Sequence, residues 1–380
     1  MSNIEWTDST WNPVIGCTPV SPGCLNCYAA TMARRLEAMG QEAYQPDFGG
    51  FVGRNGKPGD GDVVRIAEVR AGRAVFTGEV RTLDLRLTDP LRWRKPRRVF
   101  VNSMSDLFHE AVPFEFIDRV FAVMALCPQH TFQVLTKRPE RMAEYLNAPR
   151  ANMFLVDEPA TQTTAWRVWS ATTEFEDHNK GRVARMHWSG FPHPGSGTQH
   201  VGGWPLPNVW IGTSVEDQAR ADERIPHLLR CPAAVRFLSC EPLVGAVDLW
   251  RGIYEMPGLG RRGTSLERIH WVIVGGESGP NARPCDAAWI RSIGAQCKAF
   301  GVACFVKQLG AHVRTGFSIP REWPTSGETR VSDQRDGTWR VHLCDRKGGD
   351  PAEWPEDLRV REWPGKVGAA NGEKEGSNGK

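Results

Sequence analysis

A short apolar run ending in polar residues, then a stretch with helical spacing, recurs along most of this 380-residue chain. Residues 99–101 land on Asn102, Ser103, Met104, Ser105 and Asp106, and residues 132–135 land on Thr136, Lys137 and Arg138. Residues 209–211 run into Gly212, Thr213 and Ser214, and residues 235–238 into Ser239, Cys240 and Glu241. Residues 271–274 end at Gly275, Gly276, Glu277 and Ser278, and residues 304–306 at Lys307 and Gln308. Between them, Ile117, Val120, Phe121 and Met124 share one helical face, as do Ala221, Ile225 and Leu228, and Trp289, Ile293, Cys297 and Phe300. Apolar strand, polar C-terminal tip and helix, repeated, is the grammar of parallel βαβ units. A run over 13–16 ending at Cys17 and a weaker one over 79–87 bring the expected strands to eight. The predicted fold class is α/β: a parallel (β/α) barrel, TIM-barrel-like, full or partial. Its chemistry is expected at the C-terminal strand ends, where these polar tips gather.

The grammar is interrupted twice. Residues 41–75 are Gly-rich and weakly patterned, and residues 150–205 are rich in Pro, Gly, His and Trp, so both read as insertions. The barrel is expected over 1–311, with an irregular extension over 312–364. A Gly/Lys/Glu/Asn-rich tail over 365–380 is expected to be disordered.

Composition adds little. At 40% hydrophobic and 24% charged the chain is ordinary for a globular protein, and a net charge of +3 argues for no class of partner. The first residues contain no apolar stretch of the signal-peptide kind, and no run approaches the ~20 apolar residues that span a bilayer. A cytoplasmic protein with reduced thiols and no membrane partner is expected.

The cysteines change the picture. Cys17, Cys24 and Cys27 lie in WNPVIGCTPVSPGCLNCYAA (residues 11–30), on a Pro/Gly-rich loop between an expected strand and a helix over 29–39. Three thiolates at C-x6-C-x2-C can point at one spot and leave a fourth coordination position open. The alternatives are a disulfide with a spare thiol, or burial as core. Cys127, Cys231, Cys285, Cys297, Cys304 and Cys344 lack ligand spacing. From 81 to 98 seven Lys/Arg stand against two Asp, with Trp93 among them. Arg92, Trp93, Arg94, Lys95, Arg97 and Arg98 therefore suit a nucleic-acid backbone with base stacking, or equally a solvated loop paired with nearby carboxylates.

A three-cysteine loop with Tyr28 beside its last cysteine, set on a β/α barrel, resembles the radical S-adenosylmethionine superfamily. More narrowly, the chain is similar to a phage- and prophage-encoded three-cysteine family. The likeness is carried by residues 11–30 and by FVNSMSDLFHE, LTKRPERM, IGTSVED, FLSCEPL, VIVGGESGPNARP and FVKQLG, over about residues 3–311. The superfamily's usual spacing is C-x3-C-x2-C, so the first gap here is longer. Its Gly-Gly-Glu motif follows an early strand, whereas Gly275-Gly276-Glu277 follows a late one and does not carry over by position.

The resemblance implies a 4Fe–4S cluster on Cys17, Cys24 and Cys27, with S-adenosylmethionine on the fourth iron. Reductive cleavage would give a 5′-deoxyadenosyl radical that abstracts hydrogen from substrate. It also implies an electron donor such as flavodoxin or ferredoxin. The phage association suggests a nucleic-acid base or nucleotide as substrate, with DNA or a further protein as partner. Tyr28, Ser103, Ser105, Asp106, Thr136, Thr213, Ser214, Ser239, Gly275, Gly276 and Ser278 become candidates for cofactor binding. Glu216 and Glu277 would grip the cofactor's amino group or ribose, and Lys137, Arg138, Arg283 and Lys307 a carboxylate or phosphate. Glu241, Cys240 and Lys307 are the catalytic candidates. Helix capping competes for Ser214 and Asp286, and core packing for Cys240. Two other functions remain open. One is a zinc-holding nucleic-acid-binding protein with a histidine or Cys240 as fourth ligand. The other is a cluster-dependent methyltransferase.

Overall fold

A computed structural model of the chain describes residues 4–46, 64–148, 204–251, 253–256, 261–279, 281–316, 330–334 and 336–365, with isolated positions at 167, 168, 171, 172, 175 and 323. Most of the insertion expected over 150–205, the middle of that over 41–75 and nearly all of the tail beyond 365 lie outside these residues.

Seven strands form one all-parallel sheet in chain order: β1 (Ser9–Trp11), β2 (Arg98–Val101), β3 (Thr131–Thr136), β4 (Val209–Ser214), β5 (Val235–Cys240), β6 (Trp271–Gly275) and β7 (Ala303–Gln308). Each new strand adds beside the previous one, as in a barrel, and no reversal of order marks a doubly wound sheet. Helices α1 (Tyr28–Ala38), α2 (Phe114–Ala125), α3 (Pro139–Leu146), α4 (Gln218–Arg230) and α5 (Ala287–Phe300) lie between them. Strand residues alternate between two cores. Val99, Val101, Phe132, Val134, Leu238, Cys240, Val272, Val274, Cys304 and Val306 pack toward the helices. Phe237, Trp271, Ile273 and Phe305, with Phe100, Leu135 and Trp210 beside them, fill the other face.

That second face is concave. The Trp6 ring lies 4.8 Å from Phe100 on β2 and 6.1 Å from Trp271 on β6. In a flat sheet those strands would stand about 19 Å apart, four spacings of ~4.8 Å. One indole bridges them only because the sheet curls into part of a barrel.

Two strand expectations are corrected. The apolar run ending at Cys17 supplies no strand of this sheet, because Val14–Ile15 pairs antiparallel with Arg81–Thr82 in a separate ribbon. The segment over 79–87 is therefore not an eighth barrel strand, and β1 comes from the preceding Ser9–Trp11. Beside β7 runs a C-terminal segment instead: Val306 N–H donates to Val360 O (2.8 Å), and Glu362 N–H to Cys304 O (2.8 Å). It covers the edge on which an eighth parallel strand would sit. The rest of the extension adds a four-stranded sheet of Cys285–Asp286, Val313–Thr315, Trp339–His342 and Arg330–Asp333. Near the cysteines, α1 packs with Ile15, Tyr44, Ile66, Ala67, Phe76, Leu83 and Met104 into a small core of its own.

Candidate active site

The three cysteines sit where the sheet presents its C-terminal strand ends, and the loop carrying them is pinned to those ends. Ser21 Oγ donates to Glu216 Oε1 (2.7 Å), just past β4. Asn26 Nδ2 donates to Glu277 Oε2 (2.9 Å), just past β6. Arg283 Nη1 holds Pro22 O (2.8 Å), and Arg138 Nη2, after β3, holds Thr18 O (3.2 Å). His109 Nε2 meets Thr18 Oγ1 at 2.9 Å. The loop approaches so closely that a Cβ on Gly23 would stand 2.4 Å from Glu216 Oε1. Only glycine fits there without displacing that carboxylate.

The two anchoring carboxylates are saturated. Glu216 is fully buried between Lys137 (2.8 Å) and Arg224 (3.0 Å). Burial alone would raise its carboxyl, but the two cations bring it down to about 2. Glu277 accepts from the Arg283 backbone N–H (2.9 Å), from Nε (3.0 Å) and from Nη2 (2.7 Å). Against burial, these bonds and the one from Asn26 hold it below the usual carboxylate range. Both residues thus position the loop.

Behind Cys17 lies a second buried network. Asp106 accepts from Thr136 Oγ1 (2.7 Å), Lys137 N–H (3.0 Å), Phe108 N–H (3.0 Å) and Arg138 Nη1 (3.3 Å). Arg138 also pairs with Glu110 (2.9 Å), and its Nη1 stands 3.7 Å from Cys17 Sγ. Burial pushes the Cys17 thiol up to about 12, with Asp106 adding to the rise and Arg138 opposing it. Cys27 is the N-cap of α1, and burial raises its thiol while the Ala30 and Ala29 N–H groups oppose the shift. Cys24 Sγ lies 3.8 Å from Ser21 Oγ. All three cysteines are half-buried, and none is in a disulfide.

The donor chemistry, thiols at Cys17, Cys24 and Cys27, suits a soft metal ion or an iron–sulfur cluster. Buried thiols with raised pKa values need positive charge to exist as thiolates, and a bound metal supplies it. Among the described residues, no three His, Cys, Asp or Glu side chains gather as the ligands of one ion.

Beside the loop opens a cavity of ≈ 1720 Å³ over the concave face of the sheet. Cys27, Tyr28, Gly276, Glu277 and Ser278 line one part of it; Lys137, Ser214, Ser239, Glu241, Lys307 and Ser103 line others. Glu241 and Lys307, from the tips of β5 and β7, form an ion pair at 2.5 Å across β6, where Gly275 contributes no side chain between them.

Several candidates lie elsewhere or are engaged. Cys240 is fully buried in the core between sheet and helices, and burial raises its thiol far above the ordinary value. The Thr213 hydroxyl donates to Thr136 O (2.8 Å), that of Ser105 to Val14 O (2.8 Å), and that of Ser103 to Asn12 Oδ1 (3.1 Å). Ser214 is not the cap of α4; Asp217 is, accepting from Arg220 N–H (2.8 Å). Asp286 does cap α5, accepting from Ala288 N–H (2.8 Å). Gly276 packs so tightly that a Cβ would meet Leu309 O at 2.2 Å, which accounts for a glycine there without any ligand.

Residues 92–98 of the basic segment lie at the opposite end of the sheet, leading into the N-terminus of β2, whereas Arg81 is buried in the ribbon beside the cysteine loop and Arg86 lines the cavity. Arg92, Arg94 and Lys95 are exposed, Arg97 covers the Trp93 ring at 5.1 Å, and Arg98 pairs with Asp8 at 3.2 Å. Sequence reasoning missed Ser21 and Asn26, placed Gln308 at a strand tip without a role of its own, and gave His109 no role. Ser21 and Asn26 flank cysteines inside the loop already singled out, and that adjacency was the available signal.

No helix of the described residues is long and apolar enough to cross a membrane. No curated protein and no solved structure matches the chain. Over residues 1–350 the sequence matches the family described as protein of unknown function DUF5131, and the chain belongs to that family.

Proposed function

We propose that the chain is a radical S-adenosylmethionine enzyme on a partial (β/α) barrel, working in the cytoplasm with a small electron-transfer protein as reductant. Cys17, Cys24 and Cys27 would hold a 4Fe–4S cluster. The observation that carries this reading is the pinned loop: three unpaired thiols, tied at Thr18, Ser21, Pro22 and Asn26 to groups at the tips of three strands, beside a large cavity. When bound, such a cluster supplies the electron that cleaves S-adenosylmethionine.

The chain's own residues do the positioning. Arg138 places a guanidinium N–H against Cys17, and the first turn of α1 places backbone N–H groups toward Cys27. N–H groups directed at thiolate sulfurs stabilise the more negative, reduced state of a cluster. Phe100 and Leu135 of the concave sheet give the cavity an apolar wall. At ≈ 1720 Å³ the cavity exceeds the ~300–1,000 Å³ typical of one small ligand, which leaves room for cofactor and substrate together.

The test is anaerobic reconstitution, followed by dithionite and S-adenosylmethionine, with iron, sulfide and 5′-deoxyadenosine quantified together. About four irons per chain with 5′-deoxyadenosine is the expected result. Zinc in place of iron, or a cluster that cleaves nothing, overturns the reading, and S-adenosylhomocysteine as sole product redirects it to methyl transfer. Cys24→Ala should lose the cluster with the fold retained.

A further inference from the structure

We infer that the Glu241–Lys307 pair is the substrate-recognition site, and that its ligand is a neutral heterocycle presenting adjacent N–H and C=O groups, the lactam edge of a uracil-, thymine- or guanine-type base. The inference rests on the cavity being an active site and names the substrate class for it.

A half-buried ion pair is weak evidence for stability, since desolvating two charges offsets most of their attraction. Glu241 and Lys307 keep 17% of side-chain exposure each, and both line the cavity. The pair also has unused capacity. Lys307 Nζ and Gln308 Nε2 (3.4 Å) both bond to the same oxygen, Oε1, and Gln308 is fixed by its second bond to Gly276 O (2.8 Å). Glu241 Oε2 has no partner among the described residues. Lys307 uses one of its three donors there.

The cavity is thus offered one acceptor and one donor side by side, at zero net charge. A carboxylate or phosphate arriving at Lys307 would meet Glu241, and an amine arriving at Glu241 would meet Lys307. A zwitterion would have to separate a pair already in contact. A neutral edge donating to Oε2 and accepting from Nζ leaves the pair intact. A lactam has that edge, with donor and acceptor on neighbouring atoms. Apolar side chains complete the lining: Phe100, Leu135, Met104 and Trp6 suit a flat ring.

Binding of thymidine, cytidine, N3-methylthymidine and free methionine to the full chain, measured by calorimetry with the cluster reconstituted, tests this. Thymidine should bind, and N3-methylation, which removes the N–H without touching the protein, should weaken it about ten- to a hundredfold, the loss of a hydrogen bond to a charged group. Cytidine, whose adjacent donor and acceptor are an amino group and a ring nitrogen in place of N–H and C=O, should bind more weakly than thymidine, and cytidine binding as tightly as thymidine would overturn the lactam assignment. Glu241→Ala and Lys307→Met should each reduce thymidine affinity to a similar degree. Equal binding of thymidine and its N3-methyl derivative overturns the inference, as does saturable binding of methionine alone that is lost in the two variants. Discriminating base binding without cofactor cleavage would sink the radical reading and leave this one. Cofactor cleavage without base discrimination would do the reverse.

Discussion

The cysteine loop and residues 92–98, at opposite ends of the parallel sheet, treat charge in opposite ways. At the C-terminal ends, Glu216, Glu277, Asp106 and Arg138 are buried, each with several partners, and they hold one short loop in place. At the N-terminal ends, Arg92, Arg94 and Lys95 stand in solvent, while Arg97 and Arg98 lean on Trp93 and Asp8. Burying a charge costs several kcal/mol unless it is fully paired, so the first arrangement exists only where the chain needs a fixed geometry. Exposed charges cost nothing and specify little. The cysteine end is built to hold something still.

The largest effect should come from removing an anchor. Glu216→Gln leaves Lys137 and Arg224 facing no carboxylate in a buried setting. It should destabilise the protein by about 3–5 kcal/mol, the cost of breaking a buried ion pair from one side, read as a lower midpoint in urea unfolding. With the Ser21 anchor weakened, the loop should also expose Cys24 to alkylation more rapidly in the metal-free chain. A variant of native stability and native Cys24 reactivity would break the contrast between the two ends.

The same carboxylate predicts an acid limb. Its folded pKa lies near 2 against 4.5 for the free group. Glu216 therefore stabilises the fold fully above pH 4.5, and that contribution is lost as pH falls toward 2. The wild-type unfolding free energy should decline across this window more steeply than that of Glu216→Gln. Parallel declines would show that Glu216 is not the titrating anchor.

Much of the sheet was legible because β2 through β7 are nearly continuous apolar runs, buried on both faces. β1 was not: Ser9–Trp11 has two polar residues, lies at an edge, and joins the sheet by pairing with residues 90 positions away. The Val14–Ile15 run next to it has the stronger strand composition, yet forms a ribbon with Arg81–Thr82. Composition marks a strand and does not choose its partner. The site divides along similar lines. The cysteines announce themselves by spacing, whereas Glu216 and Glu277 read as ligand-facing acids, since their partners Ser21 and Asn26 lie 195 and 251 residues earlier. Cys240 shows the period-2 rule at work, since one position decides whether a strand-tip residue faces cavity or core. Its neighbours Ser239 and Glu241 line the cavity, and Cys240 does not.

A smaller effect should appear at the alkaline end. Cys17 has a folded pKa of about 12 against 9.0 for a free thiol. A raised pKa means that its contribution is intact below pH 9 and is lost as pH rises toward 12, because the unfolded chain ionises first. In the metal-free chain, alkylation of Cys17 should remain slow at pH 9 and climb only well above it, while the reconstituted protein should lose this dependence. Half-maximal alkylation near pH 9 would mean that the Cys17 pocket is less buried than its contacts indicate.

The smallest effect belongs to the other end of the sheet. Replacing Arg92, Arg94 and Lys95 together by Ala should leave stability within about 0.5 kcal/mol, as expected of exposed side chains without strong partners. Their only route to function is through a polyanion. If the segment grips nucleic acid, each lost phosphate contact should flatten the salt dependence of duplex binding by up to about 0.9 in log–log slope. Base recognition at Glu241 should stay untouched, because the two lie at opposite ends of the strands. A triple variant that loses thymidine binding along with duplex binding would show the ends to be coupled. One that changes neither would make the segment a solvated turn, and the cysteine end would be left to find its substrate alone.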